Sequence, residues 1–453
     1  MSSATLRSVA DSEPNQELIE PGGDSTSFLQ ALYSGGDGRI AADPHTGLNK
    51  YLCPRVPAPD LVCASSCTAS PISARGFDRA AKAFFDIAGA SSPRQRAHRL
   101  ATLTEQIKSR LLHYFDVAGL ARVTLCPSGT DAMLTTAMLI AAERPGEAMT
   151  AILPSASETG TGVPMAALCR VFDGPDSGKL LTGCQANLVE IPLRSADGSP
   201  RSEDDVSDAF AAAAASVRGH AIVYLTYGTK TGLVAPASPP RGADVIVDAC
   251  QARIEPETVA TYLRRGWPVV VTGSKFLGGP AFSGAILFPV GRRKRLAFPH
   301  DTVDLGTVLR WTAAMAVIDA FGPSPDEMSA FLTKRAATIK NAVKANPALM
   351  LVGGLRPQNS GWADLPSIFT VALHDPSHRG RLLSMAELRP AYERLASLKI
   401  LLGQPVNLGR FGGLRIATGA RDLLDDPGDG GLARIFAALL EITQPQRRPD
   451  GDR

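Results

Sequence analysis

Hydrophobic residues along the chain fall into two patterns that alternate with each other. Short continuous apolar runs, with the length of buried strands, occur at 123–126, 149–153, 187–192, 221–226, 244–248, 268–272 and 284–289. Longer stretches between them have helical spacing, as at 93–118, where Leu100, Leu103, Ile107 and Leu111 form one stripe. Apolar strands that alternate with helices predict the α/β class, with a mostly parallel sheet covered on both faces.

The pattern changes after about residue 322. Shorter elements then follow, with predicted strands at 349–352, 367–373 and 414–417 and predicted helices at 324–346, 384–398 and 432–442. Ser384 and Glu387 have the spacing of a capping box, and Pro390 is expected to kink or split the helix that follows. We therefore predict a large domain at 96–322 and a smaller α+β C-terminal domain at 323–443. Polar residues at 1–25 and 444–453 are expected to be disordered.

Composition narrows the possible partners of the chain. Of its 453 residues, 44% are hydrophobic and 20% are charged, so a folded core is expected. The net charge of +3 is too small to indicate nucleic acid or an anionic membrane as a partner. No apolar run approaches the ~18 residues of a membrane span, and the polar N-terminus lacks the features of a signal peptide.

The chain has seven cysteines, an odd number, and most lie far apart. Only Cys63 and Cys67 are close in sequence, and no second pair of cysteine or histidine residues completes a zinc site. We therefore expect no bound metal, and we expect a cytoplasmic protein with reduced thiols.

Ser128, Gly129 and Thr130 stand where a predicted strand turns into a helix. The first amides of a helix lack partners within the helix and lie at its positive end, and glycine lets an anion approach the backbone closely. Two hydroxyl groups add further donors. The three residues therefore either cradle a phosphate or form an ordinary helix N-cap.

Two charged residues follow apolar strands further along the chain. Asp248 ends the run at 244–248, and Lys275 follows the run at 268–272 in a loop rich in glycine. An unpaired buried carboxylate is costly, so Asp248 needs a partner. The alternatives are that it caps a helix or pairs with an arginine, or that it keeps a heterocyclic nitrogen protonated. A lysine in apolar surroundings can lose its proton and attack an aldehyde, whereas a lysine in an exposed loop stays charged.

Taken together, these residues resemble a known family. The cradle, the aspartate and the lysine occur in the order found in fold-type I pyridoxal-phosphate enzymes, and the chain is most similar to their class V aminotransferase and cysteine desulfurase group. The resemblance covers about 64–420 and includes the motifs SGT, DACQ, TGSKFLGGP, LGT and LRIA and the pair Thr231-Gly232. It implies the aspartate aminotransferase-like fold, with a mostly parallel, seven-stranded-type sheet in a large cofactor-binding domain.

The resemblance also implies roles for individual residues. Lys275 would form a Schiff base with pyridoxal 5′-phosphate, Asp248 would pair with the pyridinium nitrogen, and Arg415 would bind a substrate carboxylate unless it forms a surface ion pair. The implied cofactor-binding residues are Ser128, Gly129, Thr130, Thr159, Thr229, Asp248, Gln251, Thr272, Ser274, Lys275, Gly306 and Thr307. Gly306 and Thr307 would reach the phosphate of a neighbouring subunit, which implies a homodimer with shared active sites.

The N-terminal segment at 26–95 is expected to contribute to the small domain and to cross the mouth of the active site. Its polar piece at 43–51 makes Asn49 and Tyr51 candidate substrate-binding residues. The alternative for this piece, and for the run at 64–70, is an ordinary surface loop without a role in binding.

Three departures from the family bear on the reaction. Thr159 follows Glu158 where many relatives carry an aromatic ring, Thr229 and Lys230 stand where relatives carry asparagine, and no cysteine follows Cys250. The last departure argues against a desulfurase. We expect an aminotransferase-type enzyme acting on an amino acid or amine, with a lyase or an inactive binding subunit as alternatives. A dehydrogenase is disfavoured because no GxGxxG follows the first strands.

Overall fold

The structure is a computed structural model that describes residues 24–65, 69–181, 186–292, 303–322, 325–353, 361–378, 380–426 and 428–443. The predicted disordered ends lie outside these ranges, apart from Asp24 and Ser25, which begin the first helix. Cys67 and Cys184 also lie outside the described residues. Among the helices described, none combines the length and apolar character needed to cross a bilayer.

The described residues form helices along the whole chain. In order, they are α1 (Ser25–Leu32), α2 (Ala74–Ala88), α3 (Pro93–Tyr114), α4 (Gly129–Glu143), α5 (Val163–Ala167), α6 (Glu203–Ser216), α7 (Pro256–Arg264), α8 (Leu305–Ala320), α9 (Pro325–Ala345), α10 (Leu388–Ser397), α11 (Ala420–Asp425) and α12 (Gly430–Thr443). Short 3₁₀ turns lie at Gly38–Ile40 and Trp362–Asp364.

The strands separate into two sheets. They are β1 (Val62–Ala64), β2 (Ala121–Cys126), β3 (Met149–Pro154), β4 (Ala186–Ile191), β5 (His220–Tyr227), β6 (Val234–Ala235), β7 (Asp244–Ala249), β8 (Val269–Thr272), β9 (Gly284–Pro289), β10 (Leu349–Val352), β11 (Ile368–Leu373), β12 (Ile400–Asn407) and β13 (Gly412–Ala417). The predicted strand at 284–289 and the predicted helix at 256–264 agree with the structure at both ends.

The large sheet has the order β2-β9-β8-β7-β5-β3-β4, with the short β6 paired to β5. The pairs from β8 through β7, β5 and β3 to β4 are parallel, and β9 runs antiparallel to both of its neighbours. Thr226, Asp248 and Val270 lie side by side on three adjacent strands. The carboxyl ends of β5, β7 and β8 therefore meet at one edge, where open α/β sheets bind ligands.

Both faces of this sheet are buried, which explains the continuous apolar runs. Val245, Val247 and Val269 pack into the core on one face, whereas Ile246 and Val270 pack into the core on the other. Successive side chains of a strand point to opposite faces, so a strand covered on both sides must be apolar at every position.

The second sheet has the order β1-β12-β13-β11-β10 and packs against α9, α10 and α12. Its first strand comes from the N-terminal segment, and its other strands come from the C-terminal part of the chain. The N-terminal segment also packs Phe28 and Phe84 against Leu309 of α8. The segment therefore contacts both parts of the molecule, and the predicted domain boundaries themselves remain a prediction.

Several local predictions were wrong, for identifiable physical reasons. The helix expected to continue to Phe172 ends at Ala167, and Cys169 has a positive φ of 53°. Strand β12 was not predicted because Gly403 and Pro405 interrupt its apolar pattern. They lie at a shift of register between residues 403 and 406. Ser384 and Glu387 exchange the hydrogen bonds of a capping box. However, α10 begins at Leu388, the residue after Glu387, so Pro390 lies in the first turn of the helix and does not break it.

Candidate active site

A cavity of about 520 Å³ opens at the carboxyl ends of β7 and β8, between the large sheet and the second sheet. The sequence-predicted residues that line it are Tyr51, Ser128, Gly129, Thr130, Asp248, Gln251, Thr272, Ser274, Lys275 and Arg415. The structure therefore brings most of the predicted residues together, although they come from distant parts of the chain. Within the described ranges, no cluster of three or more His, Cys, Asp or Glu side chains is placed to hold a metal ion.

The N-terminus of α4 forms one end of the cavity. Ser128 is the N-cap: its Oγ accepts a hydrogen bond from the amide of Asp131 at 3.2 Å and donates one to Oδ2 of Asp131 at 2.6 Å. A Cβ atom on Gly129 would lie 2.7 Å from Sγ of Cys250 and 3.0 Å from Cγ2 of Thr272. Glycine is therefore required there, because the helix start packs directly on the strand ends.

Asp248 lies at the end of β7 with its side chain nearly buried. Its Oδ1 accepts a hydrogen bond from the amide of Cys250 at 3.1 Å. No lysine, arginine or histidine among the described residues lies within ion-pair distance of this carboxylate. A buried carboxylate without a cation is costly, so Asp248 favours a cationic ligand in the cavity.

Lys275 follows β8 after two residues, in the loop that leads to Pro280. Its side chain is partly buried and lines the cavity, and within the described part of the chain it has neither a hydrogen bond nor an ion pair. At the end of β8, Oγ1 of Thr272 donates a hydrogen bond to the carbonyl of Cys250 at 2.7 Å. This bond joins the strand ends that carry the aspartate and the lysine, so both side chains are held at the same cavity.

Arg415 approaches the cavity from β13 of the second sheet and is 4% exposed. Its Nε donates to the carbonyl of Gln404 at 3.1 Å, and it forms no ion pair with a carboxylate of the described residues. A Cβ atom on Gly403 would lie 2.8 Å from Cβ of Arg415. The alternative of a surface ion pair is therefore wrong: the guanidinium is buried and its charge is available to a ligand.

Three predicted residues lie beside the cavity but do not line it. Oγ1 of Thr159 is buried and has no hydrogen-bond partner among the described residues. Thr229 donates instead to Oε2 of Glu158 at 2.7 Å. Oδ1 of Asn49 accepts from the amides of Tyr51 and Cys53 and so shapes its own turn. The roles of these three residues toward a ligand remain predictions.

Gly306 and Thr307 begin α8 and are covered by their own chain. A Cβ atom on Gly306 would lie 2.4 Å from the carbonyl oxygen of Ser34. Thr307 is fully buried, with its hydroxyl donating to Oδ2 of Asp304 at 2.6 Å and accepting from Arg310 at 3.0 Å. The predicted contact of these two residues with a neighbouring subunit's phosphate therefore remains a prediction, and in the single chain the hydroxyl is already engaged.

Sequence reasoning missed Arg39, a further cation at the cavity. It lies in the 3₁₀ turn Gly38–Ile40 of the N-terminal segment and pairs with Asp37. Its guanidinium carbon lies 5.3 Å from the ring centre of Phe282 and 6.0 Å from that of Phe172. Nothing in its local sequence signals this position. Burial raises the pKa of nearby Asp131 to about 6, and the charge of Arg39 partly opposes that rise.

Comparisons with known proteins give structural relatives only. No family profile matches the sequence, and no curated protein matches it. The Escherichia coli cysteine desulfurase CsdA has a TM-score of 0.52 at 14% identity, covering 84% of this chain and 95% of that chain. Oryza sativa TDC with PLP has a TM-score of 0.58 at 15% identity, covering 98% and 96%. The fold is that of the fold-type I pyridoxal-phosphate enzymes.

A third relative of the same fold is the cystine C-S lyase C-DES, in complex with its reaction product cysteine persulfide. Its TM-score is 0.57 at 12% identity, over 84% of this chain and 97% of that chain. The predicted aspartate aminotransferase-like architecture is thus confirmed. Sequence identities this low extend to the fold and not to the reaction, because one fold carries many chemistries.

Proposed function

We propose that this protein is a pyridoxal 5′-phosphate-dependent enzyme that acts on an amino acid or amine, with Lys275 as the residue that binds the cofactor covalently. One observation carries the proposal. Lys275 and Asp248 line one cavity, at adjacent strand ends. Among the described residues, the side chain of Lys275 has no hydrogen bond or ion pair, and the buried carboxylate of Asp248 has no cation. A phosphorylated pyridine aldehyde satisfies both groups at once, because it offers a carbonyl carbon to the amine and a ring nitrogen to the carboxylate.

The residues present also fit the phosphate of this cofactor. The start of α4 supplies backbone amides and the hydroxyls of Ser128 and Thr130, and the hydroxyls of Thr272 and Ser274 lie at the same cavity. An anion is favoured there by the helix dipole and the unsatisfied amides. To donate to the phosphate, the hydroxyl of Ser128 would have to turn away from Asp131, and that of Thr272 would have to turn away from the carbonyl of Cys250.

Each residue would have one task in the reaction. When bound, pyridoxal phosphate supplies an electron sink that weakens the bonds at the substrate's α-carbon. Asp248 would hold a proton on the ring nitrogen, and Arg415 would orient the substrate by its carboxylate with two parallel hydrogen bonds. Once the substrate amine has displaced it, the amine of Lys275 would move the proton at the α-carbon as general base and acid.

The aminotransferase-type reaction is our first proposal, and a lyase is the second. The lyase is favoured by one observation. No aromatic side chain follows Glu158, and Thr159, in that place, has a buried hydroxyl that finds no hydrogen-bond partner in the part of the chain that the structure describes. Incubation with candidate amino acids separates the two. A transaminase accumulates pyridoxamine phosphate and an oxo acid, whereas a lyase releases ammonia or another cleavage product and returns the original cofactor spectrum.

The absorption spectrum tests the cofactor itself. The purified protein, loaded with pyridoxal phosphate, is expected to show a yellow band that the Lys275→Ala variant lacks. Borohydride is expected to bleach this band and to leave the cofactor permanently attached to Lys275 as a secondary amine. Lys230→Ala is the matched control, because Lys230 lines the same cavity but donates to the carbonyl of Ala156 at 2.8 Å. A colourless wild type would support an inactive binding subunit. A band that survives in Lys275→Ala would refute the assignment.

We also propose a cytoplasmic homodimer, which the resemblance of the chain supports. Cys63, Cys126 and Cys250 are free thiols, as a reducing compartment favours. Light scattering is expected to give a mass of about 95 kDa, twice the 47.6 kDa of one chain. A mass equal to that of one chain would contradict the dimer.

A further inference from the structure

Arg253 is a buried guanidinium that takes no part in the reaction proposed above. It is 3% exposed and follows β7 by four residues. Its Nε donates to Oγ of Ser367 at 2.9 Å, and its Nη2 donates to the carbonyl of Thr418 at 2.7 Å. Its Nη1 lies 3.1 Å from Oε1 and 3.2 Å from the carbonyl oxygen of Gln251, and the guanidinium carbon lies 5.3 Å from the ring centre of Phe276.

These contacts fix which way the amide of Gln251 faces. A guanidinium only donates hydrogen bonds, so the atom of Gln251 that it binds must be the oxygen. The amide nitrogen of Gln251 is then on the side away from Arg253. Because Gln251 lines the cavity, this nitrogen is the amide atom that can donate to a ligand there. Gly228, with φ of 95°, confines the side chain from the other side, because a Cβ atom there would lie 3.0 Å from Cβ of Gln251.

Arg253 also connects this amide to two other parts of the site. The carbonyl of Gln251 accepts a hydrogen bond at 3.3 Å from the amide of Phe276, the residue after Lys275. Ser367 and Thr418 flank β11 and β13 of the second sheet, whose β13 carries Arg415. One side chain therefore contacts the loop of the lysine, the amide at the cavity and the sheet that carries the carboxylate-binding arginine.

We propose that Arg253 is a positioning residue that turns the N–H donors of Gln251 toward the ring oxygen of the bound cofactor. The inference rests on the proposed function. Gln251 would donate to the oxygen next to the lysine-bound carbon, and Arg253 would prevent the amide from flipping to present its oxygen, which would repel that atom. A donor at the ring oxygen stabilises its anionic form, so it lowers the pKa of the lysine-bound nitrogen.

The spectrum of the lysine-bound cofactor reports this pKa directly. Besides Lys275 itself, the charged or titratable groups that line the same cavity are Arg39, Tyr51, Lys230, Asp248, Cys250 and Arg415. Arg253→Lys keeps the positive charge, so the electrostatic potential in the cavity stays nearly unchanged. An ammonium group, however, cannot bind Gln251, Ser367 and Thr418 at once, as the planar guanidinium does. Any change in the pKa of the lysine-bound nitrogen then reflects geometry more than charge.

The experiment is a cycle of three variants, Arg253→Lys, Gln251→Leu and the double variant, each loaded with pyridoxal phosphate and titrated by absorbance. Each single variant is expected to raise the transition by about one pH unit, the effect of losing one hydrogen bond to a charged oxygen. The double variant is expected to show no further rise, because Arg253 acts through Gln251. Gln251→Leu does not disturb the contacts of Arg253 with Ser367 and Thr418, so it stays informative if Arg253→Lys is unstable.

The outcomes separate this inference from the proposed function. A wild-type transition in Arg253→Lys, or shifts that add in the double variant, would overturn the positioning role while leaving the cofactor assignment intact. A wild type without any lysine-bound band would overturn the proposed function and this inference together.

Discussion

Nε of Arg194 lies 2.7 Å from Oε1 of Glu158, and the two side chains are only 8% and 2% exposed. The carboxylate also accepts hydrogen bonds from the hydroxyls of Thr229 and Thr231, and the carbonyl of Glu158 accepts from the amide of Lys230. The ion pair joins the loop after β3 to the segment after β4, and the hydrogen bonds to Glu158 join the loop after β3 to the loop after β5. Residues of the loops after β3 and β5 line the cavity.

Breaking the pair from one side is expected to destabilise the protein. Glu158→Gln leaves the charge of Arg194 buried without an anion, and we expect the free energy of unfolding to fall by about 3 kcal/mol. Urea denaturation followed by circular dichroism measures the loss. The double variant Glu158→Gln with Arg194→Met removes the stranded charge, so it should recover part of the stability. If single and double variants lose the same amount, the ion pair is not the cause.

Gly129→Ala is expected to weaken binding of the cofactor phosphate. The added methyl would lie 2.7 Å from Sγ of Cys250, so the start of α4 must move away from the strand ends. Overpacking of this size costs about 1–3 kcal/mol, so affinity for pyridoxal phosphate should fall by about fivefold to a hundredfold. Equilibrium dialysis measures it. Gly322→Ala is the control, because no atom of the described residues lies within 4 Å of the added carbon, and this variant should bind like wild type.

Replacing Arg415 by lysine tests the carboxylate site. Lysine keeps the positive charge but cannot form the two parallel hydrogen bonds of a guanidinium, so we expect the dissociation constant of a substrate amino acid to rise about tenfold. Spectral titration of the cofactor band gives this constant. The matching amine without a carboxylate is expected to bind both proteins equally. An equal loss for amine and amino acid would mean that Arg415 shapes the cavity without binding the carboxylate.

Asp131 is expected to make stability depend on pH in the acidic range. Burial raises the pKa of its carboxyl from 3.8 to about 6, opposed by the hydrogen bond from Ser128 and by the charge of Arg39, while Asp37 adds to the rise. Between these two pH values the folded protein holds a proton that the unfolded chain has lost, so this group's contribution to stability falls as pH rises.

Asp131→Asn removes that titration and keeps an acceptor for the hydroxyl of Ser128. The variant without cofactor should melt at a higher temperature than wild type above pH 6, with a difference that shrinks toward pH 4. Asp43→Asn is the control, because hydrogen bonds from the amides of Thr46 and His45 lower the pKa of Asp43, and its variant should gain nothing above pH 6. A difference that stays constant between pH 4.5 and 8 would contradict the expectation.

The residues that we propose to be catalytic were predictable from sequence because each lies close to the end of a strand. A strand buried on both faces must be apolar throughout, so the first polar residues after such runs mark the edge where parallel strands end. Asp248 and Lys275 stand there, and Ser128 to Thr130 stand at the start of α4 beside it. Local pattern alone therefore determined the α/β class and the order of cradle, carboxylate and amine.

Only the tertiary structure decided how these residues are surrounded. Arg39 meets Phe282, Arg253 meets Ser367 and Thr418, and Gly306 is covered by Ser34. These contacts join positions far apart in the chain, so neither the spacing of hydrophobic residues nor a local motif predicts them. They arise when separate elements pack against each other, because a buried charge takes whichever partners the neighbouring surfaces place within hydrogen-bonding distance.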